Sequence, residues 1–120
     1  TQRSVVSDVG TGDHSSVDLE RLHGFTQGDA ALEAELAALY VETAQLYLGR
    51  LRRAGDDAGE WQRAAHALKG ASANIGAVSV ARLAAEQEQE SPSITALRAL
   101  EAEVAQVAAL FRERGALATD

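Results

Sequence analysis

The chain has 120 residues, the length of one domain built around a single hydrophobic core. Hydrophobic residues make up 46% of it but aromatic residues only 4%, a composition typical of packed helices that disfavours a β-sheet fold. A formal net charge of −7 disfavours binding to nucleic acid or to an anionic membrane, and the lack of cysteine excludes disulfides and thiolate chemistry.

The two ends of the chain are polar. Residues 1–15, TQRSVVSDVGTGDHS, are predicted to be a flexible tail or linker, and residues 116–120 a second flexible tail. An amphipathic stretch then predicts a first, short helix, in which Ser15 and Asp18 have the spacing of a capping box. The apolar residues of this stretch that are expected to face a core are Val17, Leu19, Leu22 and Phe25. The folded domain is predicted to span residues 16–115.

The clearest long helix begins after Asp29, a good N-cap residue, and ends before Gly55. Residues recur along it at spacings of three and four, as in the buried stripe of an amphipathic helix. The stripe consists of Leu32, Leu36, Leu39, Tyr40, Thr43, Leu46 and Tyr47.

Three further helices are predicted. The first of them runs from a cap at Asp57 to Gly76, the next ends at about Glu90, and the last has Pro92 in its first turn and ends at about Arg114. The buried stripe of the helix after Asp57 is predicted to be Trp61, Ala64, Ala65, Leu68, Ser72 and Ile75. Short connections force neighbouring helices to be antiparallel. The predicted fold is therefore all-α, an antiparallel up-down four-helix bundle with a short extra N-terminal helix.

The helix after Asp57 contains the group HALKG at residues 66–70. At about 100° per residue, His66, Lys69, Gly70 and Ala73 lie away from the buried stripe. A nearby ammonium favours a neutral imidazole with a nucleophilic lone pair, and the same cation can offset the charge of a phosphoryl group bound there. Gly70 costs about 1 kcal/mol relative to alanine inside a helix, so we expect a compensating role in leaving room for a partner protein.

The segment AHALKGASANIGA, residues 65–77, closely resembles the core motif of the histidine phosphotransfer (Hpt) domain family. That motif reads His-x-Leu-Lys-Gly-(Ser/Ala), then small residues and an Asn-(Leu/Ile)-Gly turn. The matching positions are His66, Leu68, Lys69, Gly70, Ala71, Asn74, Ile75 and Gly76. Residues 17–36 are also similar to the family's first helix, Gly-Asp turn and second helix, so the resemblance covers about 16–115. In one departure, Gln87 stands where the family often has an apolar residue before the acidic Glu88, and the hairpin to the last helix is short.

The resemblance implies a four-helix bundle that passes phosphoryl groups between the aspartates of receiver domains. It implies that His66 is the phosphoacceptor, that Lys69 stabilises the phosphate and that Gly70 provides clearance for the partner. Gln62, Arg63 and Ala73 are predicted to belong to the docking surface. Lys69 and Arg63 are expected to attract the acidic receiver site.

The chain is further predicted to be a phosphocarrier without autokinase activity, because it contains no glycine-rich nucleotide loop. No carboxylate cluster is evident on the His66 face, so we expect Mg²⁺ to be held by the receiver and no cofactor or metal to be bound by this chain. His14 and His23 have no second ligand at metal-binding spacing.

The expected partners are receiver domains of a hybrid sensor kinase, a response regulator or both, bound by a monomer without nucleic acid or membrane contact. The expected location is the cytoplasm, including the case of a cytoplasmic terminal domain of a membrane-bound hybrid kinase. Two alternatives stay open. One is a helical bundle that binds a receiver or kinase domain without being phosphorylated, and the other is a metal or cofactor bundle with His66 as an inward-pointing ligand.

Overall fold

The structure is a computed structural model that describes residues 17–113, except for the side chains of Leu19 and Phe25. This part of the chain is helical and contains no strand. The helices are α1 (Leu19–Thr26), α2 (Ala30–Ala54), α3 (Ala58–Ile75), α4 (Val78–Gln87) and α5 (Ile94–Glu113). The all-α prediction is confirmed. The predicted tails, and with them Ser15, lie outside the described residues.

The four longer helices form a closed bundle around one core. Both α2 and α4 pack against α3 and α5, and α1 packs on α2. The connections 55–57, 76–77 and 88–93 are short, so successive helices run in opposite directions. The predicted four-helix bundle with a short N-terminal helix is therefore the observed architecture.

Polar side chains mark where the helices begin. Asp18, Asp29 and Asp57 each accept a hydrogen bond of 3.1 Å from the backbone N–H three residues further on. The predicted capping box with Asp18 inside the first helix is thus wrong, because Asp18 is itself the N-cap. Ser93 accepts a backbone N–H at 3.2 Å at the start of α5, which puts Pro92 before this helix rather than in its first turn.

Gly76 ends α3 in the left-handed region, with a φ of 87°. Its N–H donates to the Ala73 carbonyl at 3.2 Å, and the next N–H donates to the Ser72 carbonyl at 2.8 Å. The Asp18 N–H donates to the Gly76 carbonyl at 2.6 Å, and a Cβ on Gly76 would lie 2.6 Å from the Asp18 carbonyl oxygen. The chain before α1 therefore crosses the α3–α4 turn at a distance that only glycine allows.

The buried face of α3 is the predicted one. All six residues of the predicted stripe, from Trp61 to Ile75, are buried. Ser72 in this stripe meets α2 through a hydroxyl pair, since its Oγ lies 2.8 Å from Tyr40 Oη. Burial raises the pKa of Tyr40 to about 12, and the hydrogen bond to Ser72 opposes part of the rise. This pair holds α2 against α3 behind the helix face that carries His66.

The buried face of α2 differs from the predicted one. Tyr40 is buried as expected, and Leu36 and Tyr47 of the predicted stripe are partly buried against the core, but Leu39 and Leu46 are 59% and 57% exposed. The residues of α2 in the core are instead Ala37, Tyr40, Ala44, Leu48, Leu51 and Ala54. This side combines large and small side chains, which can interlock with those of the neighbouring helices. Part of the predicted stripe is consequently left on the surface.

Candidate functional site

His66 lies on the outer face of α3. The helix buries Ala65 and Leu68 on its inner side, and the His66 side chain is 68% exposed. Lys69 follows one turn later, with 36% of its side chain exposed. The alternative of an inward-pointing metal or cofactor ligand at His66 does not fit this outward position.

A carboxylate from α4 completes the site. Glu88 is the C-cap residue directly after α4, and only 12% of its side chain is exposed. Its Oε1 lies 3.1 Å from His66 Nδ1, and its Oε2 lies 2.7 Å from Lys69 Nζ. A single carboxylate therefore contacts both the imidazole and the ammonium, one oxygen for each.

This contact determines which imidazole nitrogen carries the proton. An ionised carboxylate only accepts hydrogen bonds, so the His66 contact requires that Nδ1–H donates to Glu88 Oε1. The neutral ring then has its lone pair on Nε2, the other ring nitrogen. Nε2 is thus the ring nitrogen with an available lone pair.

Glu88 is held in its ionised form. The Lys69 ammonium lowers the pKa of the Glu88 carboxyl below its usual value of 4.5, burial acts in the opposite direction, and the contact with His66 lowers it further. The carboxylate charge consequently persists at neutral pH and into the acid range.

The sequence pattern pairs Lys69 directly with His66, and it does not identify Glu88 as a site residue. The two positions are 22 residues apart, and helix periodicity says nothing about contacts between separate helices. One signal in the sequence could have identified Glu88. The family pattern includes an acidic residue late in the fourth helix, but the resemblance mentions Glu88 only as the residue after the unusual Gln87.

Gly70 is exposed, and a Cβ built on it meets no atom within 4 Å. Nothing inside the described part of the chain therefore requires a glycine at this position. Gln62, Arg63 and Ala73 are also exposed and lie on the same helix. The predicted docking residues are thus accessible on α3, and their docking role stays a prediction.

The two cations near His66 are both paired in this structure. Arg63 Nη2 lies 2.9 Å from Glu60 Oε1, and Lys69 is bound to Glu88. The His66 face is therefore not the unpaired basic patch that Lys69 and Arg63 alone suggest, and attraction of an acidic partner requires these ion pairs to open or to be shared.

An apolar groove of about 460 Å³ lies between α2 and α3. We call it the α2–α3 groove, and its lining residues are Leu36, Leu39, Tyr40, Thr43, Ala71, Asn74 and Ile75. Asn74 in its wall lies one helical turn after Gly70, and Gly70 lies one turn after His66, so the groove borders the His66 face. Its leucines belong to the stripe that the sequence places in the core, which is why sequence reasoning does not find the groove.

Comparison with protein families matches residues 35–110 to a family model described as the Hpt domain. The match covers well over half of the chain and includes His66, Lys69 and Glu88. The chain belongs to the Hpt domain family. Hpt domains are phosphocarrier modules that act in two-component phosphorelays by histidine phosphotransfer and interact with receiver domains. Comparison with curated proteins gives no match, and comparison with solved structures gives none either.

Three further features of this Hpt domain bear on the metal-site and membrane predictions. Within residues 17–113, no three His, Asp or Glu side chains are grouped so that they could hold a metal ion. His23 does have a partner that its sequence spacing does not reveal, because its Nδ1 lies 2.9 Å from Oε2 of the buried Glu33. His14 lies outside the described residues. None of the described helices combines the length and apolar character needed to cross a membrane.

Proposed function

We propose that this Hpt domain accepts a phosphoryl group from a receiver phospho-aspartate on Nε2 of His66 and passes it to the aspartate of another receiver. The observation that carries the proposal is the contact of Nδ1 with Glu88, which leaves the Nε2 lone pair available on an imidazole that is 68% exposed. A binding module that is not phosphorylated would not need an exposed imidazole with an available Nε2 lone pair.

The transfer has one bond forming and one breaking. The Nε2 lone pair forms the N–P bond while the acyl O–P bond of the phospho-aspartate breaks, and the departing carboxylate keeps that electron pair. The ring becomes cationic, with Nδ1–H directed at the Glu88 carboxylate. In the second transfer an aspartate oxygen attacks phosphorus and the electron pair returns to Nε2.

Lys69 and Gly70 support this transfer in different ways. Lys69, one helical turn from His66, supplies positive charge for the phosphoryl group. Gly70 leaves open space beside the imidazole, so that the rim of a receiver active site can approach the helix backbone. Mg²⁺ is expected on the receiver, and we propose that this chain contributes no cofactor and no autokinase activity.

We further propose that the receiver docks on Gln62, Arg63 and Ala73 and extends over the α2–α3 groove. An apolar groove that borders a polar, exposed nucleophile offers buried area for affinity and an accessible atom for chemistry. The acting form is proposed to be a monomer in the cytoplasm, where it serves a hybrid sensor kinase, a response regulator or both.

The test is phosphotransfer from a receiver phosphorylated on aspartate in the presence of Mg²⁺. We expect an acid-labile, base-stable label on the wild-type chain and none on His66→Gln, whose circular dichroism should equal that of the wild type. His14→Gln and His23→Gln serve as controls and should keep the label. A wild-type chain that binds the receiver but takes no label would refute the proposal in favour of the binding module.

A further inference from the structure

In the unphosphorylated site, the positive charge of Lys69 is already paired, although the proposed function needs this charge to stabilise the phosphoryl group. Lys69 Nζ lies 2.7 Å from Glu88 Oε2, and the same carboxylate holds His66 Nδ1 at 3.1 Å. The phosphoryl group would therefore arrive at an imidazole whose nearby cation is already bound to an anion.

Glu88 differs in its surroundings from the other carboxylates close to it in the chain. Glu86 and Glu90 are exposed, so water screens their charges, whereas the Glu88 side chain is only 12% exposed. Charge interactions strengthen as solvent is excluded. Of these three carboxylates, Glu88 is thus the one whose charge acts most strongly on a phosphoryl group at His66.

We propose that Glu88 competes with the phosphoryl group of phospho-His66 for Lys69 and thereby limits how far the phosphorylated state accumulates. This inference rests on the proposed function. When the phosphoryl group is present, Lys69 is divided between two anions, and the Glu88 carboxylate repels the phosphoryl oxygens. In this proposal these two effects outweigh the attraction of Glu88 for the cationic ring, which Nδ1–H directs at the carboxylate. The phosphorylated chain is consequently a readier donor to the next aspartate than an isolated His–Lys pair would be.

A glutamine at position 88 distinguishes the competition for Lys69 from the orientation of the His66 ring. Glu88→Gln removes the negative charge but keeps a carbonyl oxygen that accepts the Nδ1–H hydrogen bond. Glu90→Gln is the matched control, because it makes the same chemical change at an exposed neighbour. Nitrogen-15 NMR of the imidazole should show the proton on Nδ1 in wild type and in both variants.

The experiment brings each variant to equilibrium with a phosphorylated receiver and Mg²⁺, and measures the ratio of phospho-His66 to phosphoreceiver. We expect Glu88→Gln to raise this ratio by about 3- to 10-fold, because it removes one partly screened negative charge beside the phosphoryl group. Glu90→Gln should change the ratio by less than about 2-fold. In a Lys69→Ala background, the effect of Glu88→Gln should be clearly smaller than in the chain that keeps Lys69, because the cation for which the anions compete is gone and only their direct repulsion remains.

Each remaining outcome counts against the inference. An unchanged or lowered ratio in Glu88→Gln, or an equal rise with and without Lys69, would overturn the competition for Lys69 while leaving phosphotransfer intact. A lowered ratio together with a shifted imidazole proton would show that Glu88 only orients the ring. A wild-type chain without any label would instead overturn the proposed function, and this inference with it.

Discussion

Gly70 lowers the stability of its helix, and no contact within the described part of the chain compensates for this loss. A glycine inside a helix costs roughly 0.5–1 kcal/mol relative to alanine, and a Cβ at position 70 would meet nothing within 4 Å. The protein would fold at least as well with a side chain there. This agrees with the proposed clearance role, in which Gly70 leaves room for a partner protein that approaches this face.

Substitutions at Gly70 should separate stability from transfer. We expect Gly70→Ala to raise the melting temperature by roughly 2–6 °C, and Gly70→Gln to slow phosphotransfer at least about 10-fold by obstructing the partner. Thermal denaturation and transfer kinetics measure the two effects. Gly24→Ala in α1, where a Cβ also meets nothing, is the control and should raise stability without slowing transfer. Wild-type transfer rates in Gly70→Gln would disprove the clearance role.

At the scale of elements, the turn between α3 and α4 holds the bundle to its N-terminal helix. Gly76 combines a left-handed backbone with close contact to Asp18, the N-cap of α1. The same turn lets α4 start after a connection of two residues, and α4 then brings Glu88 back to the His66 face. One glycine thus links the packing of α1 to the part of the fold that forms the site.

Gly76→Ala should destabilise the domain through both strain and steric clash. We expect a loss of about 1–3 kcal/mol in the free energy of unfolding, measured by urea denaturation. Gly28→Ala is a matched control, since Gly28 has a φ of 83° but open space around a built Cβ. Gly28→Ala should lose only the part of the free energy of unfolding that is due to backbone strain. Equal losses in the two variants would show that the contact with Asp18 contributes nothing.

For the whole molecule, the surface apolar residues are arranged unevenly. Leu39 and Leu46 lie on α2, and Leu39 lines the groove beside the His66 face. Ile94 is also exposed, at 63%, but it lies near the α2–α3 connection, close to Asp56. Leu46 lies about two turns from Leu39 on α2, so both leucines are placed to contribute apolar area to a receiver docked over His66.

The double variant Leu39→Ser with Leu46→Ser should weaken receiver binding by at least about 10-fold, because it removes apolar area from the proposed interface. Its melting temperature should change little, since both side chains are more than half exposed. Calorimetric titration with the receiver tests the expectation. Ile94→Ser should leave the affinity unchanged, and an equal loss in that variant would contradict a docking surface on α2.

The sequence by itself determined where the helices lie, which side of α3 is buried and that His66 faces outward. Caps and periodicity depend on residues within a few positions of each other, so they can be read without knowing the fold. The Hpt motif is just as local, and the family match agrees with it. The roles assigned to His66, Lys69 and Gly70 stay predictions.

Only the tertiary structure decided that Glu88 bridges His66 and Lys69, that Gly76 meets Asp18, and that α2 turns Leu39 outward. Each of these depends on how separate helices pack. Leucines and alanines both repeat along α2 at helical spacing, so periodicity alone could not choose its inner face. The inner face is the one that contacts α3 and α5, and these contacts exist only in the assembled bundle.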